Sequence, residues 1–492
     1  MVSDQLIGSV LSGLDVRPLR GAERCRSGRL VEDSRVVQPG DVFLARGGAR
    51  SGSRTYISQA EERGAVAILS DAAGCEVATI PALLSKCPEL DGAIMAQRLA
   101  GSPSERLALV GVTGTNGKTT VSTLLAHVLR GEGPCGLLGG VCIEDGLNSR
   151  PATLTTPMAA DVAAWLASAV DHGCTRAVME VSSHALDQGR IAGVQFAAGI
   201  FTNLSGDHLD YHGTMEAYAA CKRQLLADLP STGFAVINAD DPASRSMAAG
   251  ISAEVFRCTL SGDGDVSGEI THSDIDGIAM HLESPWGRGL LTLPIPGVHN
   301  AMNAVQVLAA ACAMGVNFEL AVDRIANATA PPGRLEQICD RPRVFVDFAH
   351  TDAALEAVLH SLQGIKPDGG RVLLVIGCGG DRDRTKRPRM AAIACRGAER
   401  IWLTSDNPRS EDPNRILEDM KAGVPADAAS RVEIVPDRRE AIAEAILEAD
   451  LEDIVLVAGK GHERMQLVGS QEIPFDDRLV AMEAVETRGG RL

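Results

Sequence analysis

The chain reads as an α/β protein of three consecutive units built on mostly parallel sheets. Three observations carry that expectation. Its 492 residues exceed one ordinary domain and suit about three. Short runs of Val, Ile, Leu and Ala alternate with amphipathic helical stretches, the pattern of helices laid across parallel strands. A glycine-rich turn at residues 111–120 joins one such run to a helix, as phosphate-binding turns do.

The first unit, residues 1–99, offers strands at 42–45 and 65–69 and a helix at 56–63. No charged motif in it suggests chemistry, so it reads as a binding or positioning domain. The second, residues 100–331, opens with a strand at 107–112 that enters the glycine-rich turn and then a helix at 119–130. Strands at 176–181, 197–202 and 234–238 continue a parallel sheet. From 265 to 296 short runs separated by Asp276-Gly277 and Trp286-Gly287 predict antiparallel hairpins appended to it. A helix at 301–314 follows Pro296-Gly297. Pro331-Pro332-Gly333 marks a hinge into the third unit, residues 332–492. Five strands there, at 344–348, 372–376, 400–404, 432–435 and 454–458, predict a second open, Rossmann-like sheet with ligands at the strands' carboxyl ends.

Hydrophobic content of 45% and charged content of 23% are those of a globular protein, and 3% aromatics leave the cores to aliphatic residues. A net charge of -17 argues against non-specific nucleic-acid binding, which rests on phosphate neutralisation. Anionic small substrates stay open, because Arg382, Arg384, Lys386, Arg387 and Arg389 form a local basic cluster. The twelve cysteines include no C-x-x-C pair, which predicts free thiols in a reducing compartment. With no signal-like start and no apolar run near the ~20 residues that span a bilayer, a cytoplasmic location without membrane insertion is expected.

The chemistry concentrates at Gly111-Val-Thr-Gly-Thr-Asn-Gly-Lys-Thr-Thr120. Backbone N–H groups from Gly114, Thr115, Asn116, Gly117 and Thr120, with the helix N-terminus, would cradle phosphates. Lys118 would reach the terminal phosphates and Thr119 would ligate Mg²⁺. The generic pattern wants Gly where Val112 stands; the bland alternative is a glycine-rich turn with an exposed lysine. Glu180, ending the 176–181 run, could supply the metal's carboxylate or merely cap a strand; Ser182, Ser183 and His184 after it mark a polar rim. No N-K-x-D tetrapeptide exists, which disfavours a GTPase, and Arg382 replaces the third glycine of a dinucleotide fingerprint near Gly377-Cys-Gly-Gly380.

These motifs do not stand alone. Glu180-Val-Ser-Ser-His184, Asn203-Leu-Ser-Gly-Asp-His-Leu-Asp-Tyr-His-Gly213, His299-Asn-Ala-Met-Asn303, Gly333-Arg-Leu-Glu336, Asp347-Phe-Ala-His350 and Ala458-Gly-Lys-Gly-His-Glu463 follow one another as in the Mur ligase family, which the second and third units resemble. In the first unit, Asp33-Ser34-Arg35 and Pro39-Gly-Asp41 look like that family's uridine-binding domain. The resemblance implies an ATP-dependent, Mg²⁺-using ligase. It would join meso-2,6-diaminopimelate to the D-glutamate side-chain carboxylate of UDP-N-acetylmuramoyl-L-alanyl-D-glutamate through an acyl phosphate, as a monomer, in peptidoglycan precursor synthesis.

Residue by residue, the resemblance implies catalytic roles for Lys118, His208 and Lys222, with Lys118 and His208 stabilising phosphate charge as cations. Asn300, Asn303, Arg334, Asp347 and His350 would surround ATP. Ser34, Thr155, Thr156, Ser182, Gln188 and Arg190 would hold the UDP-linked substrate, beside a uridine loop at 48–51. Arg382, Asp406, Asn407, Pro408, Arg409, Gly459 and Glu463 would bind diaminopimelate, with Arg409 on the distal carboxylate and Glu463 on the distal ammonium. Metal ligands would be Thr119, Glu180, His208 and Lys222, the last as a CO₂-derived carbamate; read alone, Lys222 is a solvated helix lysine. Phe348 and Asp352 depart from the family's usual Tyr and Pro. The rival readings are a lysine-adding relative, folylpolyglutamate synthase, which lacks so long a unit ahead of the loop, and a nucleotide-switched binding protein.

Overall fold

The computed structural model describes residues 4–46 and 53–489, so the 48–51 loop lies outside the described residues. Each unit carries its own sheet. In the first, strands run in the order Val16–Leu19, Ala82–Ser85, Ala67–Ser70, Val42–Leu44, Leu30–Val31, parallel except at Val16–Leu19. The expected helix is Ile57–Glu62.

The central sheet has eleven strands. Cys135–Leu138, Arg176–Glu180, Ala108–Thr113, Ala198–Phe201, Phe234–Asn238, Glu254–Thr259 and Val266–Asp274 are parallel neighbours in that order. Side chains alternate across such a sheet, so Val110 joins a core with the Lys118–Arg130 and Val298–Ala313 helices, while Leu109 joins another under Met215–Ala227 and Ala159–Asp171. The hairpins expected at 265–296 extend the sheet as Val266–Asp274, Gly277–Ser284 and Gly287–Leu293. Ile275, at the tip of the first hairpin, is 5% exposed and belongs to the apolar core of the third unit, with Leu335 and Leu355.

The third sheet runs Glu336–Asp340, Arg343–Asp347, Ile454–Ala458, Val372–Ile376, Arg400–Leu403, Val432–Ile434, parallel except at its first strand. The strand expected at 344–348 sits one residue earlier, because its pairing with Ile454–Ala458 ends at Asp347. Phe348 therefore leaves the sheet and its ring meets Arg334. In this unit three short strands went unread in the sequence: Glu336–Asp340, Met465–Val468 and Gln471–Pro474, the last two an antiparallel hairpin. All twelve cysteines are free thiols, and among the described residues no helix is long and apolar enough to cross a membrane.

Candidate active site

The phosphate loop leaves the carboxyl end of Ala108–Thr113 and starts the Lys118–Arg130 helix. Gly114 has φ +148°, and a Cβ there would lie 1.9 Å from Thr202 Oγ1, so no side chain fits. Thr202 Oγ1 and Asn203 Nδ2 donate to the Asn116 carbonyl at 2.5 and 3.0 Å, and Asn116 N donates to Asn203 Oδ1 at 2.9 Å. Thr202 and Asn203 thus brace the loop, a role sequence reading missed although Asn203 heads one of its motifs. Lys118 Nζ donates to the carbonyls of Gly114 and Thr115, and burial pushes its pKa down.

Thr119 Oγ1 donates to Glu180 Oε2 at 3.2 Å, and Gly140 N donates to Glu180 Oε1 at 2.9 Å. Glu180 is 1% exposed, yet no ion pair neutralises it among the described residues. A buried carboxylate beside a hydroxyl at a phosphate loop fits a hard cation such as Mg²⁺. Arg334 reaches across from the third unit, donating from Nη2 to Thr119 Oγ1 at 3.1 Å with its guanidinium 4.4 Å from the Phe348 ring centre. The aromatic face at position 348 is thus engaged, whatever the hydroxyl of a tyrosine would have added. Asp352 is the first residue of the Asp352–Ile365 helix, capped by Thr351; an acidic residue suits that position through the helix dipole, as proline does through its fixed φ.

Lys222 is 1% exposed, and its Nζ donates to Gly114 O at 2.7 Å and lies 4.5 Å from the Tyr218 ring centre. Burial, then Lys118 nearby, pushes its pKa well below the ordinary lysine value. Burial of this kind favours the neutral, nucleophilic form of the amine, unlike the solvated lysine its sequence context suggested. His208 sits at φ +53° beside Asp207, with Nε2 3.4 Å from Asp207 Oδ2. Burial lowers its pKa to about 4. The cationic stabiliser expected from the sequence is therefore a neutral imidazole near pH 7, a form suited to ligating a metal. Burial pushes Asp207 up, but His350, His208 and Lys118 outweigh it and hold this unanticipated carboxylate below its usual range.

Around the loop lies a cavity of ≈ 480 Å³ lined by residues 115–120, Glu180, Asn300, Asn303, Arg334, Asp347 and His350. Asn300 Nδ2 donates to Pro296 O and Asn303 Nδ2 to Asn300 Oδ1. Asp347 spends both oxygens on the backbone N–H groups of Leu335 and Ala349, 2.7 Å each, which fixes the hinge. His299 also faces this cavity; burial lowers its pKa to about 4. Its unfolded value is near 6.5, so the stability tied to its neutral form is full above 6.5 and is lost as pH falls toward 4. Tm should fall between pH 6.5 and 4.5 more steeply in the wild type than in His299→Asn; equal slopes would refute this.

Of the residues expected around the UDP-linked substrate, four form one network. Arg190 Nη1 donates to Thr156 O, and Nε and Nη2 donate to Gln188 Oε1. Thr156 Oγ1 donates to the Glu180 backbone carbonyl and accepts from Ser182 N, tying the network to the strand that carries Glu180. Thr155 instead lines the phosphate cavity. Ser34 lies in the first unit, its Oγ donating to Gln59 Oε1 at 2.6 Å, and no hydrogen bond joins it to the Arg190 network among the described residues.

A second cavity, ≈ 420 Å³, opens between the central and third units. It gathers Arg382, Asp406, Asn407, Arg409, Gly459 and Glu463, and shares Asp207, His208, Phe348 and His350 with the first cavity. Pro408 is buried and does not line this cavity, its carbonyl so close to Gly380 that a Cβ there would be 1.9 Å away. Gly459, at φ +113°, leaves room for Asp406 Oδ2, which a Cβ would meet at 2.8 Å. Arg409 adopts φ +52°, pinned by Arg409 N to Leu467 O, Gly469 N to Arg409 O, and Nη1 to Gly380 O. Burial, then the adjacent Arg382, disfavours its charge, a penalty that an anionic ligand would relieve.

Two adjoining clefts, one built on a phosphate loop and one on paired guanidiniums, define a multi-unit α/β nucleotide enzyme that brings a second charged substrate to the phosphates. The family model for the Mur ligase middle domain matches residues 112–311, and that for the Mur ligase glutamate ligase domain matches residues 333–461. The chain is 40% identical over 489 residues to UDP-N-acetylmuramoyl-L-alanyl-D-glutamate–2,6-diaminopimelate ligase of Gloeobacter violaceus, covering 98% of this chain and 97% of that one. It is 42% identical over 474 residues to the ligase of the same name from Chromobacterium violaceum, covering 94% and 95%. A solved structure of a ligase of that name aligns with TM-score 0.67 at 31% identity, over 99% of this chain and 100% of that one. Folylpolyglutamate synthase of Mycobacterium tuberculosis, complexed with ADP and AMPPCP, shares the fold at TM-score 0.59 and 21% identity over 81% of this chain and 94% of its own. The chain belongs to the Mur ligase family, and it is an ATP-dependent, amide-bond-forming ligase.

Proposed function

We propose that this ligase adds meso-2,6-diaminopimelate to the D-glutamate side-chain carboxylate of UDP-N-acetylmuramoyl-L-alanyl-D-glutamate, as a cytoplasmic monomer. Residues 1–99 hold the uridine end, 100–331 carry ATP, and 332–492 carry the amino acid. The observation that supports it most is the join between the clefts: Asp207, His208, Phe348 and His350 line both, so an amine in one meets a phosphorylated carboxylate in the other.

The substrate carboxylate attacks the γ-phosphate and releases ADP, giving an acyl phosphate. The amine then adds to the acyl carbon, and the tetrahedral intermediate collapses to amide, phosphate and a proton. Lys118 and the loop N–H groups from Gly114 to Thr120 hold phosphate oxygens, and Arg334 closes over Thr119. Asn300, Asn303, Asp347 and His350, which line the same cavity, surround the adenine, ribose and phosphates of ATP. Thr119 and Glu180 would hold one Mg²⁺, and His208 with a carbamylated Lys222 a second, and the ions would supply charge neutralisation at the phosphates. Thr155, Thr156, Ser182, Gln188 and Arg190 orient the UDP-linked peptide, with Ser34 on the uridine side.

Specificity falls to Arg409, with Arg382 beside it. Diaminopimelate differs from lysine by a distal carboxylate, and the half-buried Arg409 guanidinium left without it is costly, so lysine should be used at least ~10²-fold less well. Phosphate release with the UDP-linked dipeptide and either amino acid tests this. Arg409→Ala should lose most of the preference through diaminopimelate; equal kcat/KM for both amino acids in the wild type would remove the specificity assignment.

A further inference from the structure

Lys460 follows the Ile454–Ala458 strand and is 0% exposed, behind the wall of the second cavity rather than in it. Its ammonium carries three donors and no acceptor, and all three are placed. Nζ donates to Asn407 Oδ1 at 3.1 Å, to Glu463 Oε2 at 3.1 Å and to Met465 O at 2.8 Å. Asn407 Oδ1 also accepts from Leu467 N at 3.0 Å. Both groups facing that oxygen can only donate, so the amide cannot be turned over. Asn407 Nδ2 must point the other way, where one N–H meets Glu463 Oε2 at 2.7 Å and the second is left for the cavity. Glu463 Oε2 in turn is occupied by two donors, which leaves Oε1 for an incoming cation.

We propose that Lys460 is a positioning residue for amino-acid specificity, fixing Asn407 as a donor and Glu463 as an acceptor. The inference rests on reading this cavity as the amino-acid site. A diamino dicarboxylic acid presents a carboxylate and an ammonium on one far carbon, and only walls of fixed polarity read both. Lys460 also keeps Glu463 from Arg409, whose charge it already feels. Without that restraint, the carboxylate would neutralise the guanidinium meant for the ligand, and the Asn407 amide could present oxygen to an anion.

The test uses the full chain, with steady-state kinetics on diaminopimelate, ATP and the UDP-linked dipeptide. Lys460→Met should raise the diaminopimelate KM at least about tenfold, while the other two KM values and kcat at saturation stay within about twofold to threefold. Lys460→Gln, neutral and able to accept as well as donate so that it no longer forbids the turned Asn407 amide, carries the same test should the methionine variant not fold. Because Lys460 acts through Asn407, adding Lys460→Gln to Asn407→Ala should change the diaminopimelate KM by less than about twofold beyond Asn407→Ala alone. An unchanged KM, additive effects, or an equal rise in all three KM values would each overturn the proposal. A wild type that does not use diaminopimelate would instead defeat the reading of the site, so the two failures are distinct.

Discussion

Lys222→Ala is expected to lose at least ~10³-fold in turnover, and to regain part of it with millimolar acetate or formate. The loss is large because the residue sits where no other side chain can substitute: 1% exposed, against the Gly114 carbonyl and the Tyr218 ring. Burial and Lys118 both favour the neutral amine, the form that adds CO₂ to give an anionic carbamate. A small carboxylate can diffuse into the space left by alanine and offer the same oxygens, which neither water nor chloride would do. Stripping CO₂ and bicarbonate should slow the wild type and leave the alanine variant unaffected. Turnover above about a tenth of wild type in Lys222→Ala, without acetate, would eliminate the carbamate.

Lys118→Ala should cost at least ~2 kcal/mol of transition-state stabilisation, about 30-fold or more in turnover. The charge acts where a carboxylate approaches a polyanion, so its removal is felt in both ATP KM and kcat. The fold should hold, since among the described residues Lys118 bonds only to the carbonyls of its own loop, and Thr202 and Asn203 brace that loop independently. Phosphate-release kinetics together with Tm decide the matter. A turnover within about tenfold of wild type, with Tm unchanged, would remove Lys118 from the phosphate site.

The phosphate loop was legible because its requirements are local: a buried strand, glycines that admit φ near Gly114, and a lysine at a helix start. The parallel strands Phe234–Asn238, Val372–Ile376 and Ile454–Ala458 were legible because burial on both faces demands unbroken apolar runs. Cys142–Glu144 and the edge strand Ser149–Pro151 lack that signature, being short and at least partly exposed. Lys460 was invisible for a different reason. A lysine in a glycine-flanked loop reads as solvated, and only the approach of Asn407 and the Met465–Val468 hairpin buries it. The charge of His208 failed likewise, since residue type says nothing of the desolvation that keeps it neutral.

Ile275 has a mechanical consequence. The third unit is joined to the central one by the chain at the Pro331-Pro332-Gly333 crossing and again by this hairpin tip seated in its core. Seating one isoleucine is worth about 1.5–3 kcal/mol, comparable to the few polar bonds across the cleft. A rigid body tethered at one point can swing about any axis, whereas one tethered at two turns only about the line through them. Any opening that keeps Ile275 seated is therefore a single rotation, and Arg334 returns to Thr119 along the same arc by which it left.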